Sequence, residues 1–134
     1  MLEVAVFNIE SAIQAQAAGA NRLELCENPN EGGTTPSYGT LRVVSTTISI
    51  PVFPIIRPRG GDFLYTDAEF EVMKNDITVC KELGFAGVVI GLLLPDGNIV
   101  ELPGTYISTL QTNAGCDSII ETTVSIAELP TISS

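Results

Sequence analysis

A chain of 134 residues with 45% hydrophobic side chains has room for one ordinary domain and enough apolar content to bury a core, which argues against wholesale disorder. Six basic against sixteen acidic residues, a net charge of −10, argue against nucleic acid or an anionic membrane as a partner, because phosphate binding needs clustered Lys and Arg. Histidine is absent, which removes Ser-His-Asp and Cys-His mechanisms within a single chain, and three widely spaced cysteines make neither a disulfide framework nor a CxxC-type zinc site.

The N-terminus, MLEVAVFNIES, has no basic n-region and no long apolar run, so it does not read as a signal peptide. No stretch approaches the roughly 18 consecutive apolar residues of a membrane span. A cytoplasmic location is expected. Leu2 to Phe7 reads as a strand, and Ser11 to Ala18 as an Ala-rich helix with Ser11 as N-cap and Gly19 as its stop. Arg22 to Cys26 is a second strand with strict alternation, and Ser37 to about Thr46 a second helix. Val52 to Ile56 is a third strand, in which Pro54 is awkward because a central strand cannot spare a backbone donor.

The strongest helix runs from Asp67 to about Leu83, with Thr66 as N-cap and Glu69 completing a capping box. Phe70, Met73, Ile77 and Cys80 form one buried stripe along it, and Gly84 ends it. Val88 to Leu93 is an apolar fourth strand, as expected for burial on both faces, and PDGN at Pro95 to Asn98 is a turn. The order β-α-β-α-β-α-β predicts parallel strands with helical crossovers, in a doubly wound sheet or part of a (β/α)8 barrel. After Leu102 the chain becomes rich in Ser and Thr. Thr105 to Leu110 and Ile119 to Ile126 read as strands around a TNAGCDS hairpin loop, in the manner of an extracellular β-sandwich.

In parallel α/β proteins, function gathers beyond the carboxyl ends of the strands. Those ends supply Asn8, then Glu24, Cys26 and Glu27, then Arg57, Arg59 and Asp62. Glu24 and Cys26 share a strand face, and a buried Glu24 needs a partner, for which Arg57 on the neighbouring strand is the obvious choice. In RPRGGDF, Pro58 holds Arg57 and Arg59 extended, and Gly60 and Gly61 permit a close approach, so the four residues read either as an anion clamp or as a salt-bridge network pinning the loop. Cys26 reads either as a soft ligand for Cu(I) or as a small core residue. Cys80 reads as core, and Cys116 as an exposed thiol without an activating cation.

The segments LEVAVFNIESAIQAQAAGANRLELC, EGGTTPSYG, IIRPRGGDF and KELGFAGVVIG followed by PDGN resemble the copper homeostasis protein CutC family, from Met1 to about Ile99. The resemblance implies a TIM-type barrel, a cytoplasmic protein and copper handling, with copper as Cu(I) at Cys26. Many members of that family carry a cysteine in the first strand, facing the one that matches Cys26, where this chain has Ala5. The family's later barrel strands have no counterpart here. The tail, GTYISTLQTNAGCDSIIETTVSIAELPTISS, is instead similar to the closing strands of immunoglobulin-like repeats in secreted bacterial adhesins.

The expected architecture is therefore a partial TIM-type barrel over residues 1–100, about four parallel strands with three helices, followed by a β-hairpin tail over residues 101–134. Such a sheet has open edges, which a homodimer could close or the tail could cover by adding to the fourth strand. Four readings follow: a copper-binding protein with Cys26 as ligand, a barrel-type enzyme with Glu24 as acid/base and Arg57 with Arg59 clamping an anionic substrate, an adhesion module, or a truncated family member that has lost its activity with the missing strands.

Overall fold

The computed structural model describes residues 1–93, 107–111, 117–121 and 123–124. Its first part is a run of β/α units: β1 (Glu3–Val6), α1 (Ile9–Ala17), β2 (Arg22–Leu25), α2 (Tyr38–Thr47), β3 (Val52–Ile56), α3 (Asp67–Glu82) and β4 (Val88–Ile90). The four strands pair in parallel and in chain order, Ala5 beside Glu24, Glu24 beside Phe53, and Ile55 beside Val89. Consecutive parallel neighbours joined by helices are the pattern of a β/α barrel wall.

Alternation divides the sheet into two faces. Val6, Leu23, Leu25, Val52, Ile56, Val88 and Ile90 turn toward the helices and pack against Ala12, Leu41, Val44, Met73, Ile77 and Cys80. The opposite face carries Cys26, Ile55 and Val89, flanked by Phe7 and Phe53. All three residues of β4 are buried, as its unbroken apolar run requires when both faces are covered. The strand is shorter than the six residues expected from Val88 to Leu93, ending at Ile90 before Gly91.

Local chemistry sets the helix ends. Asn8, not Ser11, caps α1: its Oδ1 accepts from the Ser11 backbone N–H at 2.7 Å, so the serine supplies a donor to the cap. Ser37 caps α2 through Thr40 N–H, and Thr66 with Glu69 forms the expected capping box on α3. Gly19 and Gly84 follow α1 and α3 with positive φ, as helix-terminating glycines do.

Pro54 is accommodated by where its missing donor points. The Pro51 carbonyl accepts from Leu23 N–H, so the odd positions of this segment face β2 and the even ones face β4. The β3–β4 ladder begins at Ile55, one residue past the proline. No ladder bond is therefore lost.

In the tail, β5 (Ile107–Gln111) and β6 (Asp117–Glu121) form an antiparallel pair, the expected hairpin. The run read as one strand from Ile119 to Ile126 contributes to two: β6 pairs with β5, and β7 (Thr123–Val124) pairs antiparallel with β4. The resulting sheet has the order β1-β2-β3-β4-β7, so the tail does add to the fourth strand. The PDGN turn and Cys116 lie outside the described residues, as does most of the segment similar to adhesin repeats. Among the described residues, no helix is long and apolar enough to cross a membrane.

Candidate functional site

The face of the sheet turned away from the helices is layered along the strands. Nearest the amino ends, Glu3 and Arg22 are register partners and form an ion pair, with the Arg22 guanidinium over the Phe53 ring at 4.7 Å. Glu24 comes next, between Ala5 and Phe53. Cys26, one residue beyond β2, lies above it with Ile55 and Val89, and Arg57 stands one residue beyond β3. Glu24 and Cys26 share this face as alternation requires, the thiol sulfur 3.8 Å from Glu24 Oε1. Cys26 is 2% exposed, while Glu24 is only half-buried.

Two loops close over this carboxyl end. In the loop after β2, Glu27 and Thr34 exchange backbone hydrogen bonds at 3.0 and 2.8 Å around a 3-10 turn, Pro29–Glu31. Gly33 is the tight point: its φ is +105°, and a Cβ there would stand 3.3 Å from Cys26 Cβ and 3.4 Å from the sulfur. The backbone of Gly33 therefore forms the wall against which the thiol packs. Glu27 serves structure, its Oε1 accepting from Ser37 N–H at 3.0 Å and from the Thr40 hydroxyl at 2.8 Å.

Arg57 ties the two loops together. Its backbone N–H donates to the Thr35 hydroxyl at 2.8 Å, and its carbonyl accepts from Thr35 N–H at 2.9 Å. Its guanidinium donates from Nη1 to the carbonyls of Glu31 and Gly33 and from Nη2 to that of Gly61, and it rests over the Phe63 ring at 5.0 Å. The expected pairing of Arg57 with Glu24 is thus replaced by backbone acceptors. The physical reason is the turn at Pro29–Glu31, which presents carbonyls directly to the guanidinium and supplies acceptors without burying a second charge.

Arg59 goes elsewhere. It pairs with Glu69 on α3 and with Asp62 at 3.2 Å, donates to the carbonyls of Gly60, Asp62 and Leu64, and lies over the Tyr65 ring at 5.0 Å. The hydrogen bond to Glu69 raises the Arg59 pKa further, while the Thr66 backbone N–H and Arg59 hold the Glu69 carboxyl below its ordinary value. Gly60 leaves room for the Glu31 side chain, since a Cβ there would fall 2.0 Å from Glu31 Oε2. Gly61, with φ +86°, turns its carbonyl to Arg57. Asn8 is occupied as the α1 cap.

Several participants carry no sequence label of their own. Phe63 and Tyr65 each lie six residues after the arginine stacked on them, and that paired spacing in RPRGGDFLY is the signal that would reveal them. Glu31 and Gly33 act through backbone carbonyls, which leave no mark on the sequence. Cys80, buried against Met73 and Ile77, has its thiol pushed up to about 12 by burial and by the charge of Asp76, which keeps it protonated.

The model of the CutC family matches residues 1–119. The chain belongs to the CutC family. It is 58% identical over 98 residues to a CutC family protein of Sodalis glossinidius, covering 73% of this chain and 39% of the relative. A CutC family protein of Serratia proteamaculans is 53% identical over 98 residues, with the same coverage. Among solved structures, a CutC protein of Streptococcus agalactiae, whose name attaches it to copper homeostasis, superposes with a TM-score of 0.69 at 36% identity, over 74% of this chain and 49% of that one. This CutC chain therefore spans about two fifths of the length of the curated relatives it matches. Its four parallel strands with three helices are the part of a TIM-type barrel that the match covers.

As a copper site, the carboxyl end of this CutC sheet offers one thiol and one carboxylate within reach of each other, Cys26 and Glu24. Among the described residues, no group of three or more His, Cys, Asp or Glu converges on a point. Ala5 is the register partner of Glu24, on the same face and one step below Cys26. A second thiol at that position would stand diagonally across from the first.

Proposed function

We propose that this chain is a cytoplasmic copper-handling protein of the CutC type, with Cu(I) as its cargo and Cys26 as the ligand that this part of the barrel contributes. Membership of the family supports the reading, as does the copper-homeostasis name of the Streptococcus agalactiae structure. The observation that carries it is the placement of Cys26: a thiol at the carboxyl end of the inner face, fixed by the Gly33 backbone and adjacent to a carboxylate. Thiolates are the ligands Cu(I) prefers, and the carboxylate can take the proton that leaves when the metal binds.

Titration of Cu(I) against a chromophoric competitor tests it. The wild-type chain is expected to withdraw Cu(I) stoichiometrically, and Cys26→Ser to lose this ability. Ala5→Cys supplies the second thiolate and is expected to tighten binding by roughly tenfold or more, about 1.4 kcal/mol. Unchanged affinity in Cys26→Ser would refute the assignment.

A further inference from the structure

The two arginines of the loop after β3 have their charges met in different ways. Arg59 is balanced by Glu69 and Asp62. Arg57, only 6% exposed, forms no ion pair among the described residues, and its Nε has no hydrogen-bond partner. A second buried polar atom without a partner is the Tyr65 hydroxyl, and it lies within the field of the same guanidinium. Among the described residues these are the two buried side-chain polar atoms left without a hydrogen bond of good geometry, and the Tyr65 hydroxyl lies close enough to the Arg57 side chain to interact with it. Native interiors pair nearly all such atoms, so two adjacent orphans beside an unneutralised cation mark a place that something else fills.

The chemistry of the missing partner follows from the groups present. Arg57 Nε can only donate. Burial pushes the Tyr65 hydroxyl up to about 12, so it keeps its proton and is available as a second donor. Two donors, one of them on a guanidinium, call for an acceptor, and an anionic oxygen makes the stronger, charge-assisted hydrogen bond. Both atoms are shielded from solvent, which restricts the visitor to a small group.

We propose that Arg57 Nε and the Tyr65 hydroxyl form a cradle for the oxygen of a small oxyanion, a carboxylate or phosphate group, held between the loops after β2 and β3. In this arrangement Gly61 and Gly33 hold the Arg57 fork through their carbonyls. Arg59 is a positioning residue: stacked on the Tyr65 ring and anchored to Glu69, it sets the phenol against Arg57. The cradle is independent of whether copper binds Cys26.

Arginine Nε–H resonances of the full chain, labelled with 15N-arginine, report on it directly. The chain is titrated with inorganic phosphate and separately with acetate, each against chloride at equal ionic strength. A saturable shift confined to Arg57, with the Arg59 signal as a stationary internal reference, is the expected result with at least one of the two probes. Which probe saturates identifies the anion class. Tyr65→Phe, which removes only the hydroxyl, should weaken that response roughly tenfold, as the loss of one charge-assisted hydrogen bond implies. Shifts that are linear, shared by every arginine or absent with both probes would overturn the proposal in the wild-type chain alone. An unchanged titration in a Tyr65→Phe protein that retains the wild-type Arg59 signal would overturn it as well.

Discussion

At Gly33 a single hydrogen atom in place of a side chain allows the loop after β2 to press against Cys26. Gly33→Ala meets two obstacles together, a φ of +105° that L-residues avoid and a contact of 3.3 Å with Cys26 Cβ. The expected cost is about 1–3 kcal/mol of unfolding free energy, measured by urea denaturation, with displacement of the thiol and weaker Cu(I) binding. The cap of α3 is a second residue-scale device. Thr66→Ala should cost about 1 kcal/mol by leaving the Glu69 N–H without its acceptor.

Glu69 also gives stability a pH dependence of definite sign. Its folded pKa lies below its ordinary value of 4.5, so its contribution is fully present above that pH and disappears as pH falls through the depressed folded value. Glu69→Gln should therefore flatten the acid limb of a stability–pH curve while leaving the remaining carboxylates to shape it. Asp76 acts oppositely. Burial raises its pKa, so its ionised form disfavours the fold above that value, and Asp76→Asn should raise the melting temperature at pH 7.

At the scale of elements, periodicity made the β/α units legible. The stripe of Met73, Ile77 and Cys80 is buried on α3, with Phe70 packed beside it, and the apolar run at β4 is covered on both faces. Met73→Ala is expected to cost about 2–5 kcal/mol by chemical denaturation, because it empties a fully buried position between sheet and helix. Elements depart from the sequence pattern where one local signal has two solutions. Ser11 and Asn8 are both capping residue types, and the choice fell to the one whose extended backbone lets its side chain reach back into the first turn. The β-branched run after Ile119 contributes to two strands because β4 presents a free edge to Thr123 and Val124. The candidate site was half legible. Strand-end logic located Glu24, Cys26 and Arg57, but the partner of Arg57 depended on carbonyls of a turn whose conformation no side chain announces.

For the molecule as a whole, the pairing of β7 with β4 joins the tail to the family sheet. A melt followed in the near and far ultraviolet should then show one transition in both signals. A midpoint that rises with protein concentration would instead show that copies associate, through β1 or another edge. The function proposed for this assembly rests on one atom, the sulfur of Cys26. X-ray absorption at the copper edge of the Cu(I)-loaded chain tests that atom most directly. The expected result is a sulfur shell around copper that disappears in Cys26→Ser. A shell of nitrogen and oxygen alone, or a sulfur shell that persists in the variant, would contradict it.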